Sequence, residues 1–235
     1  MGNFLEFRRT FTEEILEYAD KKLSIKKGTY LGKDYLKNEK ILILKKGLIR
    51  YSHIMEGGKE ILFGCYREYV SFIIGELFSK SINDESLADM FIIEVSEDSE
   101  IYFISEETVK EKILKNKILS EKLVEYYVSF YQKQFFQMRD IQFLNIEDAI
   151  LSLAVRIYNT YGDTINEKNG LMHKILNKNI AKCIGCSEET VCRAIVKLKK
   201  QGMISRENGV IAIKNIDVVK ERLGCKFCKE SICYF

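Results

Sequence analysis

Residues 177–201 read NKNIAKCIGCSEETVCRAIVKLKKQ, and they parse as two short helices broken at Gly185. Ile180, Ala181 and Ile184 make the inner face of the first. Val191, Ala194, Ile195 and Leu198 recur at i, i+3, i+4 and i+7 along the second, the spacing of one buried helical stripe. Gly185 sits where the chain must turn sharply, and Ser187 is a good N-cap for the second helix. Ser187, Glu188, Glu189, Thr190, Cys192, Arg193 and Lys197 then lie at the front of the second helix or on its face away from that stripe. A bare helical hairpin would fit these residues. A helix-turn-helix that presents its second helix to a DNA major groove fits them too.

The residues after Gln201 favour the second reading. Gly202 ends the helix, and Met203-Ile204-Ser205 leads through Arg206-Glu207-Asn208-Gly209 into Val210-Ile211-Ala212-Ile213. Asn-Gly between apolar runs is a strong hairpin signal, because both residues tolerate positive φ. A helix-turn-helix followed at once by a small hairpin is the winged form of the motif, and its partner is double-stranded DNA.

Charge is distributed to match. The net charge of +3 over 235 residues is unequally divided. Residues 170–222 hold 11 Lys/Arg against 5 Asp/Glu, a balance of +6, whereas residues 1–169 hold 24 against 28, or −4. A basic C-terminal part supplies the phosphate-binding surface that a DNA reader needs. No apolar run approaches a membrane span and the N-terminus lacks a signal-peptide core, so a cytoplasmic protein is expected. Its 7 cysteines are then expected to be thiols, metal ligands or redox sensors rather than structural disulfides.

Working outward, residues 3–20 suit an amphipathic helix with Phe4, Phe7, Phe11, Ile15 and Tyr18 on one side. From Leu23 to Ser105 the pattern changes to short alternating runs: 40–44, 48–54, 61–64, 91–95 and 101–104. Turn signals at Gly28, Gly32, Gly47, Gly57-Gly58, Gly64 and Asn83-Asp84 separate them. Short strands at this spacing indicate an antiparallel sandwich or barrel. Ser105 should cap a helix running to about Met138, more than thirty residues long, with two apolar faces. One would pack on the β domain and the other on a second copy of the chain. A further helix is expected over 146–161, a polar loop over 163–170, and a last short helix over 217–223. The expected division is 1–104, a β-roll sensory domain; 105–139, a dimerisation helix; 140–224, a winged helix-turn-helix; and 225–235, a cysteine-rich tail. The fold class is α+β.

This order resembles the CRP/FNR family of transcription regulators, over essentially the whole chain. Glu189-Thr190-Val191-Cys192-Arg193 looks like the family's E-T-[IV]-[SG]-R. The resemblance implies a non-enzymatic homodimer that reads a palindromic operator and engages RNA polymerase. Glu189 would accept from a cytosine amino group, and Arg193 would donate to guanine or phosphate. Glu188 precedes that Glu where the CRP branch has Arg, which leans toward an FNR-like half-site. Cyclic-nucleotide binders of the family pair a Gly-Glu with a later Arg. Gly75-Glu76 could pass for the pair, but no Arg occurs between Arg67 and Arg139, so a cyclic nucleotide is rejected.

The tail carries Cys225-x2-Cys228-x4-Cys233. Three thiols within nine residues point to a metal site, one ligand short of closed tetrahedral zinc or a four-cysteine cluster. The spacing is similar to that of the Bacillus-type FNR regulators. That resemblance implies a 4Fe-4S cluster on Cys225, Cys228 and Cys233 with an aspartate as fourth ligand, here Asp140, sensing oxygen or nitric oxide. Zinc or a thiol-disulfide switch in the tail is one alternative, and a small iron-sulfur electron-transfer protein is another. Cys183-x2-Cys186 falls inside the helix-turn-helix and reads as buried packing. Cys65, His53 and His173 are expected to be structural.

Overall fold

The computed structural model describes residues 4–36, 39–55, 58, 60–74, 91–161, 176–207, 210–227 and 233. Two compact units divide the chain, Met1–Val128 and Ser129–Phe235. The expectations placed on Gly57, Gly75-Glu76, Asn83-Asp84, residues 163–170, His173, Asn208-Gly209 and Cys228 lie outside the described residues.

The first unit opens with α1 (Phe4–Leu16), followed by β1 (Lys21–Ile25), β2 (Tyr30–Leu31) and a single turn of helix, α2 (Lys33–Leu36). Then come β3 (Glu39–Ile54), β4 (Glu60–Arg67), β5 (Val70–Ile73) and β6 (Phe91–Ser105). All described pairings in this sheet are antiparallel, in the order β1-β6-β3-β4, with β2 also on β6 and β5 also on β3. This is the expected antiparallel β unit.

The runs 40–44 and 48–54 do not form separate strands, and neither do 91–95 and 101–104. Each pair merges into one long strand, and β3 lies along β6 from Glu39↔Ser105 to His53↔Phe91. Gly47, expected as a turn, is instead an irregularity within β3. It has φ +109, and a Cβ there would lie 2.8 Å from the Ser99 Cα. Register shifts flank it, between Leu44/Lys46 and Lys46/Leu48. A glycine absorbing a bulge and a glycine reversing the chain carry the same local signal, and only the partner strand distinguishes them.

After β6, Ser105 caps as expected: its side chain accepts from the Thr108 N–H. The helix it starts is not continuous to Met138. α3 (Glu106–Thr108) passes into a π-turn over Val109–Ile113, and a new helix, α4, begins at Lys117 and runs to Phe143. The break lies at Asn116, whose Oδ1 accepts from the Ile118 and Leu119 N–H groups. Asn116 is therefore a second N-cap, and α4 spans about 40 Å rather than about 50 Å. The apolar spacing hid the break because Val109, Ile113, Leu119, Leu123, Tyr126 and Tyr127 all reach one core, together with Phe11 and Ile15 of α1.

The second unit comprises the C-terminal half of α4, then α5 (Ile146–Tyr161), α6 (Asn177–Ile184) and α7 (Glu188–Lys200). A two-stranded hairpin comes next, β7 (Ile204–Glu207) and β8 (Val210–Ile213), then α8 (Ile216–Arg222) and a 3-10 turn over Cys225–Phe227. Its core takes in Ile180, Ala181 and Ile184 of α6 and Val191, Ala194, Ile195 and Leu198 of α7, all buried. These are the stripes expected from spacing. Burying each Val, Leu or Ile there is worth about 1.5–3 kcal/mol relative to exposure. Gly185 closes α6 in the left-handed conformation, at φ +72.

Candidate functional site

Two arrangements of polar side chains stand out in the second unit: the outer face of α7, and a pocket between α4, α5 and the tail.

The start of α7 is built by Ser187. Its Oγ accepts from the Thr190 N–H at 3.2 Å and lies 2.8 Å from the Thr190 hydroxyl. Ser187 is thereby a cap, and Thr190 is half-buried. Glu188, Glu189, Cys192, Arg193 and Lys197 are all exposed. Glu189 and Arg193, four apart, lie 3.7 Å from each other with their side chains 78% and 70% exposed. Such a pair is held weakly and can exchange partners.

Lys197 is turned another way: its Nζ donates to Glu147 of α5 at 2.9 Å. The hydrogen bond from Lys197 holds the Glu147 carboxyl below its ordinary range, and burial opposes it only in part. Arg222, the last residue of α8, meets the same helix end. Its Nε donates to Asp148 at 2.6 Å, and its Nη2 lies 3.6 Å from Glu147. The first turn of α5, capped by the Asn145 side chain at the Asp148 N–H, thus joins the last turns of α7 and α8. A helix N-terminus favours such carboxylates, and helix C-termini favour the cations.

Sequence reasoning missed these contacts. It also missed Asn177, which donates to the Cys192 Sγ at 2.8 Å and accepts from Arg206 of β7 at 2.7 Å. That residue links the front of α7 to the hairpin.

The pocket lies along the middle of α5, beside Ser152, Val155 and Arg156. A cavity of about 290 Å³ is lined by Asp140, Arg139 and Phe143 of α4, Ser152 and Arg156 of α5, and Cys225 and Cys233, among others. Asp140 and the two described tail cysteines expected to act with it therefore border one space. Cys228 lies outside the described residues, and among the described residues no group of three metal-binding side chains is assembled.

Asp140 is 5% exposed and its carboxylate is fully engaged. Oδ2 accepts from the Ser152 hydroxyl at 2.6 Å and from Arg156 Nη2 at 2.7 Å. Oδ1 accepts from Arg139 Nε at 2.9 Å and from its Nη2. Burial pushes this carboxyl up, but the hydrogen bonds from Ser152, Arg156 and Arg139 outweigh it and hold Asp140 below its ordinary value. It is an anion at neutral pH, the state that ligation requires. Cys233 is further tied down by Asn159, whose Nδ2 donates to its carbonyl at 2.8 Å. An anionic carboxylate and two thiols around one cavity suit a thiophilic metal centre.

Ser152 and Arg156 were readable in principle. They are polar residues at i and i+4 inside the otherwise apolar stretch 149–157 of α5, and both are buried.

The remaining cysteines behave as structural groups. Cys183 is buried, and burial raises the Cys186 thiol. Cys65 is pushed up to about 11 by burial, against the opposing pull of Arg50. Neither Cys65 nor Cys186 is poised to ionise at neutral pH.

Residues 149–222 match the Crp-like helix-turn-helix domain. Across 98% of its length the chain is 25% identical to the anaerobic regulatory protein of Bacillus subtilis, covering 98% of that protein. Among solved structures, a CooA variant from Carboxydothermus hydrogenoformans matches at a TM-score of 0.69 and 16% identity, over 89% of this chain and 90% of that one. A CRP/FNR-family transcriptional regulator from Eubacterium rectale matches at 0.64 and 16%, over 92% and 94%. FixK2 from Bradyrhizobium japonicum matches at 0.65 and 14%, over 86% and 96%. Residues 149–222 thus match a Crp-like helix-turn-helix, within a fold that this chain shares with these solved structures. Together these likenesses support a CRP/FNR family regulator, as the recognition-helix residues implied. Among the described residues no helix is long and apolar enough to cross a membrane.

Proposed function

We propose that this chain is a homodimeric regulator of anaerobic genes, controlled by oxygen or nitric oxide through a 4Fe-4S cluster held by Cys225, Cys228, Cys233 and Asp140. The observation that carries the reading is the shared cavity: Asp140, distant in sequence from the tail, lines the same 290 Å³ space as Cys225 and Cys233. When bound, the cluster would supply an oxygen-labile crosslink. The chain's own residues do the rest. Cys225 comes directly after Gly224 and the end of α8, so holding the tail at α4 also holds Arg222. Arg222 then grips Asp148 and Glu147, and Glu147 grips Lys197 on α7. The orientation of the recognition helix is thereby coupled to the tail.

Dimerisation is supported by α4, where Ile118, Val124, Val128, Tyr131, Phe135 and Met138 are exposed. From Val124 onward they recur at four- and three-residue steps, the spacing of a helix-pairing seam. A dimer would set two recognition helices about 34 Å apart, one turn of DNA, for a palindromic operator. Glu189 and Arg193 would read base edges, with Ser187, Glu188, Thr190, Cys192 and Lys197 around them and RNA polymerase as the downstream partner.

Anaerobic reconstitution with ferrous iron and sulfide tests this reading. About four of each per chain, and operator binding that weakens on exposure to air, are expected. Zinc without sulfide in the purified protein, or equal operator affinity with and without the cluster, would overturn it.

A further inference from the structure

The two oxygens of Asp140 are held in different ways. Oδ2 is bound by Ser152 and Arg156, which are 8% and 4% exposed and both project from α5. Oδ1 is bound by Arg139, the neighbouring residue of α4, whose side chain is 40% exposed. The guanidinium of Arg139 also lies 4.9 Å from the centre of the Phe136 ring, in a cation–π contact. Arg139 therefore has solvent and an aromatic face available if it leaves Oδ1. Arg156 is buried, so leaving Oδ2 would cost a desolvated guanidinium a charge-assisted hydrogen bond with no access to solvent in exchange.

We propose that this asymmetry divides the work of Asp140, an inference that rests on the cluster reading above. Ser152 and Arg156 are positioning residues that fix the carboxylate by Oδ2. Oδ1 is the oxygen that would be offered to iron, and Arg139 is a latch that covers it. Ligation through Oδ1 would require Arg139 to give up its two N–H···O bonds to that oxygen. Arg139 keeps its proton, so no proton changes hands. Supporting partners of this kind typically change metal affinity by ten- to a hundredfold.

Full-length native chain, Ser152→Ala, Ser152→Thr and Arg139→Gln are reconstituted anaerobically, with circular dichroism confirming the fold of each. Iron and sulfide are counted, and electron paramagnetic resonance detects three-iron clusters after brief oxidation. Ser152→Ala is expected to lose one iron on the order of tenfold faster than the native chain and to accumulate the three-iron signal. Ser152→Thr, which restores a hydroxyl, is expected to reverse that loss. Arg139→Gln is expected to reach half-loading at several-fold lower iron. If the native chain loads while Ser152→Ala and Arg139→Gln load and lose iron as it does, the division of roles is overturned and the cluster reading stands. A native chain that takes up no iron and sulfide overturns both.

Discussion

Asp140–Arg156 and Glu189–Arg193 are the same chemical pair in opposite settings. The first lies within α4 and α5 at 2.7 Å, with side chains 7% and 4% exposed. The second sits on the outer face of α7 at 3.7 Å, mostly in water. Desolvation makes the buried pair costly to break, so it fixes one geometry. The exposed pair is worth little and fixes nothing, which leaves both partners available to base edges and phosphates. On the proposed reading, one part of the second unit is rigid where a metal ligand would be positioned, and the other is adaptable where a duplex would be read.

The largest test of that contrast is Asp140→Ala. Removing one member of this buried pair should cost about 3–5 kcal/mol in a denaturant titration of the metal-free chain, and a loss below about 1 kcal/mol would mean that the pair contributes little to stability. Acid probes the same pair. The folded Asp140 pKa lies below its ordinary value, so its contribution to stability is complete above roughly pH 4 and is lost as pH falls through the folded value. Asp140→Asn should flatten the acid limb of the stability curve.

Next in size is Leu198→Ala, on the buried side of α7. It should lose about 2–5 kcal/mol of stability by leaving a cavity. Arg193→Ala, on the opposite side of the same helix, should leave stability unchanged within about half a kcal/mol. It should nevertheless weaken operator binding by about 1–3 kcal/mol, measured by fluorescence anisotropy at fixed salt. A loss of stability instead would show that the exposed pair is structural. Smallest is Gly185→Ala, where nothing lies within 4 Å but φ is +72. About 1 kcal/mol of thermal stability should be lost, from backbone strain alone.

The two settings were not equally legible in the sequence. The α7 face could be read because helical spacing assigns each residue to the inside or outside with no knowledge of the partner. Asp140 could be named only through resemblance. Its donors Ser152 and Arg156 were overlooked, because a helix buried on nearly every side has no polar face to mark the exceptions. Gly47 and Asn116 failed for a related reason: a bulge resembles a turn, and a cap within an apolar run resembles its continuation.

By itself, the sequence determined the helix-turn-helix, its buried stripe, the hairpin after it, the antiparallel β unit before it and the concentration of basic charge. Those features arise from local periodicity and turn chemistry, which act within a few residues. Tertiary structure alone decided that β3 and β6 are single long strands and that α4 starts afresh at Asn116. It also decided that Asp140 shares a cavity with Cys225 and Cys233 while Ser152, Arg156 and Arg139 share its oxygens. Those outcomes depend on which distant groups meet, and the energy of burying a charge is set by whatever packs around it.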